Sequence, residues 1–326
     1  MKLLVTGGAG FIGSEYIRNL LGDAYGTGGV EVTVLDKLTY SGNMANLAPV
    51  ADDPRLTFVH GDICDADLVN GLMPGHDAVV HFAAETHVDR ALHGPAQFVQ
   101  TNVVGTQVLL DAARNSGVGR FLHVSTDEVY GSIDEGSWTE ESPVAPRSAY
   151  SAAKAGSDLL ALAYHRTYGL DVVVTRCSNN YGHYQFPEKV IPLFVTNLLD
   201  GGTVPLYGDG LNVRDWLHVS DHCNGIQAAL DKGRAGEVYH IGGGTELTNR
   251  ELTEMLLAAT GRTWDAVRPV ADRKGHDRRY SLNIDKIRNE LGYEPQVTLA
   301  DGIARTVAWY QDNRGWWEPL KERAAL

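Results

Sequence analysis

The sequence predicts an α/β protein built on a doubly wound parallel sheet, with a smaller C-terminal lobe. Three observations predict it. Short apolar runs alternate with amphipathic stretches through the first half, as in successive βαβ units. A glycine trio follows the first apolar run directly. After Cys177 the rhythm breaks into a segment marked by Pro187, Pro192, Pro205, Gly201-Gly202 and Asp209-Gly210, the punctuation of shorter elements.

In order, residues 2–6, 31–35, 56–60, 78–82, 120–125 and 171–177 are apolar runs of strand length. Between them, 12–21, 66–72, 101–115 and 148–168 carry apolar residues three and four apart, the spacing of a helix with one buried face. Six strands joined by such crossovers wind a sheet in both directions. Beyond 178, the stretches 249–260 and 300–313 read as helices without regular strand partners. The expected division is therefore 1–178 for the sheet domain and 179–326 mainly for the second lobe, with some segments returning to the first. No internal repeat, linker tract or low-complexity segment interrupts the chain.

Composition narrows the function. The 326 residues are 43% hydrophobic and 21% charged, enough for a large core and too mixed for disorder. Lys and Arg number 28 against 41 Asp and Glu, a net charge of −13 that repels a nucleic-acid backbone. An anionic ligand then needs local cations set against the global field. Cys64, Cys177 and Cys223 are scattered, with no C-x-x-C, which suits a reducing compartment and offers neither a disulfide framework nor a zinc module. No run approaches the roughly 18 apolar residues of a membrane span, and the first residues hold too short an apolar stretch for a signal segment. The expectation is a soluble cytoplasmic protein without a membrane partner.

Gly7-Gly8-Ala9-Gly10-Phe11-Ile12-Gly13 closes the first strand and opens the first helix. Such a turn brings backbone N–H groups and a helix N-terminus up to a pyrophosphate, so Gly7, Gly10 and Gly13 are candidate dinucleotide-binding positions. Asp36 ends the second strand. A carboxylate there accepts from a ribose 2′-OH and repels a 2′-phosphate, which favours NAD over NADP; Lys37 next door softens that preference. Asp62, just past the third strand, suits the adenine edge.

Tyr150 and Lys154 form Y-x-x-x-K and share one helix face. A phenol titrates near pH 10, so it serves as a base at neutral pH only with cationic help, which an ammonium one turn away and an oxidised nicotinamide supply. Thr126, at the end of the fifth strand, is placed to orient the phenol. Asp127 and Glu128 follow it immediately. Two carboxyls beside a redox centre add a general acid and a general base that a plain dehydrogenase does not require. His81, Glu85 and His87 lie close together but not in the H-E-x-x-H order, so no metal is expected. Trp316-Trp317 reads as apolar packing.

The glycine turn and Tyr150-Ser151-Ala152-Ala153-Lys154 resemble the extended short-chain dehydrogenase/reductase family. Within it, Ser125-Thr126-Asp127-Glu128-Val129-Tyr130-Gly131, Ala83-Ala84-Glu85-Thr86-His87-Val88-Asp89-Arg90, Asn179-Asn180-Tyr181-Gly182, Pro187-Glu188-Lys189 and the run from Asp272 to Tyr280 resemble the dTDP-glucose 4,6-dehydratases. The resemblance covers nearly the whole chain. It implies a Rossmann sheet and conversion of dTDP-glucose to the 4-keto-6-deoxy sugar nucleotide by C4 oxidation, loss of water across C5 and C6, and reduction at C6 with recycled NAD. It further implies NAD contacts from Phe11, Ile12, Asp36, Asp62, Ile63, Ala83, Ala84, Thr101, Tyr150, Lys154 and Asn180. Sugar-nucleotide contacts are implied for Thr86, Thr126, Asn179, Lys189, Val190, Pro205, Tyr207, Arg214, Asn249, Arg273, His276 and Tyr280, and a homodimer through a four-helix bundle of the helices at 101–115 and 148–168. The chain departs from the family at Thr86 and Ala153, where Ser is usual, and at His183, where Pro is usual; loss of that Pro is expected to loosen its loop. A nucleotide-sugar epimerase or decarboxylase shares the scaffold without needing both Asp127 and Glu128. A dinucleotide-sensing regulator would keep the glycines but has no use for Tyr150, Lys154 and the carboxyl pair.

Overall fold

The structure is a computed structural model that describes residues 1–87, 90–91, 94–272 and 275–324. Strands β1 (Lys2–Thr6), β2 (Glu31–Asp36), β3 (Leu56–His60), β4 (Ala78–His81), β5 (Arg120–Thr126) and β6 (Val172–Cys177) fall where the apolar runs place them. They pair in parallel in the order β6-β5-β4-β1-β2-β3. The strand direction alternates side chains between two faces. In β1, Leu3 and Val5 join one buried cluster and Leu4 the other, so each face receives its own layer of helices.

The second half holds more strands than the sequence reading gave it. They are β7 (Asn179–Tyr181), β8 (Val204–Tyr207), β9 (Val213–His218), β10 (Val238–Ile241), β11 (Glu246–Thr248) and β12 (Val267–Val270). After the helix Val219–Lys232, β10 pairs in parallel with β6 and becomes a seventh strand of the main sheet. The other strands form a three-stranded sheet, β11-β9-β7, and a parallel pair, β12-β8. Phe194, Trp216, Leu252, Ile303 and Trp317 belong to a third apolar core that these sheets and their helices share.

Two helices differ from expectation. The one read over 101–115 starts at Pro95, a residue suited to a first turn, and passes through a π-turn at Gln100–Gly105 before Thr106–Ser116. There the Asn102 amide brackets the backbone of Glu85, accepting its N–H (2.8 Å) and donating to its carbonyl (3.0 Å). The helix Arg314–Ala324 was not expected, because Pro319 inside it reads as a break. Trp317, fully buried, secures it by donating Nε1–H to the Tyr310 carbonyl (2.7 Å). Among the described residues no helix is long and apolar enough to cross a membrane.

Candidate active site

The strand order reverses at β1, between β2 and β4, and the crevice outside the carboxyl ends of these strands is where doubly wound sheets take ligands. A cavity of about 320 Å³ opens there. Its floor is the glycine turn. Gly7 has φ of +72°, and a Cβ on it would lie 2.6 Å from the Ala83 nitrogen; a Cβ on Gly13 would lie 2.4 Å from the Gly7 carbonyl. Side chains are excluded, so the backbone itself faces the cavity. Gly10 caps the helix Phe11–Leu21 without a side-chain bond, which leaves the first N–H groups of that helix for an anion.

Asp36 is buried at the cavity wall, where its two oxygens accept from the N–H groups of Ala9 (2.9 Å) and Leu38 (2.8 Å). Burial raises its pKa against the pull of those two donors. Each oxygen keeps lone-pair capacity for a ribose hydroxyl. Lys37 does not soften this site as the sequence suggested, since its ammonium binds the Asp62 carboxylate at 2.6 Å. Asp62 also takes the Cys64 N–H (2.9 Å), which fixes the far end of the cavity.

At the other end, a capping box between Ser148 and Ser151 starts the helix Ala149–Tyr168 and aims Tyr150 and Lys154 at the cavity. Lys154 is buried and donates to the Val124 carbonyl (2.7 Å). Burial lowers its pKa, while Asp158 and Cys177 oppose that fall. The Tyr150 phenol is pushed well above its usual range, first by burial and then by Glu128, Cys177 and Asp127; a hydrogen bond with Thr126 pulls the other way. Without a cation over it, the phenol therefore keeps its proton.

Thr126 ends β5 and donates to Asp127 Oδ1 (3.2 Å) while accepting the Glu128 N–H (3.3 Å), so one hydroxyl sets the turn that carries both acids. Asp127 is 2% exposed. Burial, then Glu128 and Asp215, raise its pKa well above the ordinary carboxyl value, which favours the protonated acid. Its Oδ2, the Ser125 hydroxyl and the Asn179 side-chain oxygen are buried without hydrogen-bond partners, at positions lining the cavity. A polar guest with several hydroxyls fits such a wall.

The GDP-mannose 4,6 dehydratase family model matches residues 4–306. The chain belongs to this family. It is 67% identical to a dTDP-glucose 4,6-dehydratase of Streptomyces niveus, over 98% of this chain and 96% of the relative. It is also 67% identical to a dTDP-glucose 4,6-dehydratase of Streptomyces antibioticus, over 100% of this chain and 97% of that one. Among solved structures it resembles DesIV, a dTDP-glucose 4,6-dehydratase of Streptomyces venezuelae with NAD bound, at 68% identity and a TM-score of 0.97, covering 98% of this chain and 100% of that one. The resemblance read from the Thr126-Asp127-Glu128 run is borne out.

In this GDP-mannose 4,6 dehydratase family member the cofactor candidates converge. Gly7, Gly10, Phe11, Ile12, Gly13, Asp36, Lys37, Asp62, Ile63, Ala83, Ala84, Thr101, Tyr150, Lys154 and Asn180 all line the one cavity, as do Thr126, Asp127, Glu128, Thr86, Asn179 and Lys189. Among the described residues, the remaining substrate candidates do not line it. Val190 starts the helix Val190–Leu199, Pro205 and Tyr207 lie in β8, and Asn249 starts the helix Asn249–Ala259. Tyr207 and His276 meet ring to ring at 6.4 Å, and the Arg214 guanidinium lies 4.2 Å over the Tyr280 ring. Glu128 helps to raise the Tyr280 pKa and Arg214 acts to lower that of Asp127, so this pair feels the carboxyls directly. Arg273 lies outside the described residues.

Sequence reasoning missed the tie across the cavity mouth. Glu188, which lines the cavity, accepts from the Tyr40 hydroxyl (2.9 Å) and Arg90 Nε (3.2 Å), and the Arg90 guanidinium sits 3.7 Å over the Tyr40 ring. The quoted Pro187-Glu188-Lys189 run held the signal, but only its lysine drew notice as a cation. His183 also corrects an expectation. Instead of loosening its loop it reaches Glu15 (3.1 Å), tying the loop to the cofactor helix. Of His81, Glu85 and His87, the His81 ring bonds Thr6 (2.7 Å) and Thr106 (2.9 Å). Among the described residues no three metal-ligand side chains meet.

Proposed function

We infer that the chain dehydrates dTDP-glucose to dTDP-4-keto-6-deoxyglucose, a hydro-lyase reaction with recycled NAD that serves deoxysugar biosynthesis. One observation carries the reading: a buried Asp127 stands beside Glu128 on the same cavity as Tyr150 and Lys154. The paired phosphates of NAD suit the glycine turn, and its adenosine ribose suits Asp36. NAD, when bound, supplies a cationic ring that takes the C4 hydrogen with its electron pair and returns it at C6.

The chain's own groups move the protons. Tyr150, ionised under the field of Lys154 and the cationic ring, removes the proton of the 4-OH, with Thr126 holding the phenol oxygen. The C4 ketone then acidifies the C5 proton, which Glu128 takes. Asp127 gives its proton to the departing 6-OH, so water leaves rather than hydroxide. As C6 is reduced, Glu128 returns a proton to C5, and the net change is the loss of one water.

The sheet domain, 1–178, holds NAD; the lobe over 179–326 mainly holds the sugar nucleotide. Lys189, Arg214 and Arg273 supply local cations for the diphosphate, which act at contact range against the −13 of the whole chain. The protein works as a cytoplasmic homodimer. Support comes from apolar side chains left exposed on the helices expected to pair, among them Val99 at 50%, Leu159 at 54% and Tyr168 at 52%.

An epimerase or decarboxylase on this scaffold does not need Asp127 and Glu128 together. Purified protein mixed with dTDP-glucose, with no NAD added, tests the reading: a product lighter by one water supports it, and a C4 epimer or unchanged substrate refutes it.

A further inference from the structure

We propose that Asp158 is a positioning residue for the redox step: fixed by Arg176 and His123, it is the counter-charge that keeps Lys154 an ammonium. The proposal rests on the reading of Tyr150 and Lys154 as the redox pair. Tyr150, Lys154 and Asp158 recur every fourth residue on one helix, so each neighbours the next on a single face.

The need arises from burial. Lys154 is buried, and its hydrogen bond goes to a neutral carbonyl, that of Val124. A buried ammonium without an ionised partner gives up its proton. Several titratable groups face it. They are His81 on β4, His123 on β5, Cys177 on β6 and Asp158 on its own helix, with Tyr150 one turn before it. His123 is kept neutral at pH 7, since burial, with Lys154 adding to it, pushes it down to about 4. Burial likewise raises Cys177 and keeps it protonated. Asp158 alone among these acids is held down, to about 2, where burial is overcome by His123, Arg176 and Lys154.

The carboxylate cannot swing away. Arg176 Nε donates to Oδ2 (2.9 Å), and His123 Nε2 lies 3.2 Å from Oδ1. Arg176 is itself anchored through the Tyr130 hydroxyl (2.5 Å), which meets His240 Nε2 (2.7 Å). Ser157 donates to the Lys154 carbonyl (2.8 Å) and meets His123 (3.1 Å), which locks the same helical turn. Asp158 does not line the cavity, so it acts through Lys154 rather than on substrate.

Two readouts test this. In ¹⁵Nζ-lysine-labelled protein without ligand, the Lys154 ammonium signal, assigned by its loss in Lys154→Arg, should disappear at a pH about one unit lower in Asp158→Asn than in wild type. In the NAD-loaded enzyme, the alkaline limb of C4 oxidation, followed by absorbance of bound NADH on mixing with dTDP-glucose, should move by the same amount. Asp158→Glu should leave both near the wild-type pH although its extra methylene strains the core. Arg176→Gln removes the competing cation and should move the ammonium signal to higher pH. It decides the matter if Asp158→Asn does not fold. An Asp158→Asn signal that titrates with wild type, or an unmoved or acid-shifted Arg176→Gln signal, overturns the proposal. Wild-type protein that forms no bound NADH would instead refute the dehydratase reading, and the ligand-free titration would still judge Asp158.

Discussion

Asp127 shows how a residue's surroundings set its task. Burial beside Glu128 and Asp215 makes its ionised form costly, so folding takes up a proton there. The sign of the consequence is fixed. A carboxyl whose folded pKa is raised weakens the fold as pH climbs above its unfolded value of 3.8, and Asn escapes that cost. Asp127→Asn should therefore melt at or above the wild-type temperature at pH 8, with the difference closing by about pH 4 in a thermal-melt series. Its chemistry should fail at one step. C4 oxidation survives, expulsion of the 6-OH slows, and bound NADH accumulates on mixing with dTDP-glucose, visible by its absorbance. Tyr150→Phe fails earlier, and a loss of about 10²–10⁴ in C4 oxidation is expected in single-turnover measurements. Residue types and spacing located Tyr150, Lys154 and the carboxyl pair in the sequence. They did not show that Asp127 is buried against Asp215 and Arg214, nearly 90 positions further along the chain.

At the scale of elements, the glycine turn is stiff by exclusion. Gly13→Ala places a Cβ 2.4 Å from the Gly7 carbonyl, so the turn must open. We expect the purified variant to lose most of the NAD that wild type retains, measured by release of cofactor on denaturation. The His183 contact makes a second prediction. Burial alone would raise the Glu15 pKa, but His183 and Arg18 hold it at about 2. That stabilisation is present above the unfolded pKa of 4.5 and is lost as pH falls toward 2. His183→Ala should cost about 1–3 kcal/mol at pH 6 by denaturant titration, and much less near pH 3. Strands β1 to β6 were legible because each is a run of apolar residues with a helix-patterned stretch between. β10 was not. Its four residues include His240, whose burial is explained only by its bonds to Tyr130 and Asn283. The final helix was not read from the sequence; Trp317 on Tyr310, Trp316 on Asn46, and Arg314 and Lys321 on Asp200 hold it in place.

For the whole molecule, the proposed dimer would cover the apolar side chains exposed on Pro95–Val99 and Ala149–Tyr168. Light scattering should give twice the 35.4 kDa chain mass, and Leu159→Glu should shift it toward the single-chain value. A wild-type mass of one chain would contradict the dimer. In the proposed reaction one enzyme-held cofactor carries a hydrogen from C4 to C6 while Asp127 and Glu128 remove water between. dTDP-glucose deuterated at C4 tests it most directly. Turnover without added NAD, analysed by NMR of the product, should show the deuterium at C6 of the 4-keto-6-deoxy sugar; deuterium found in released NADH or in solvent would contradict it.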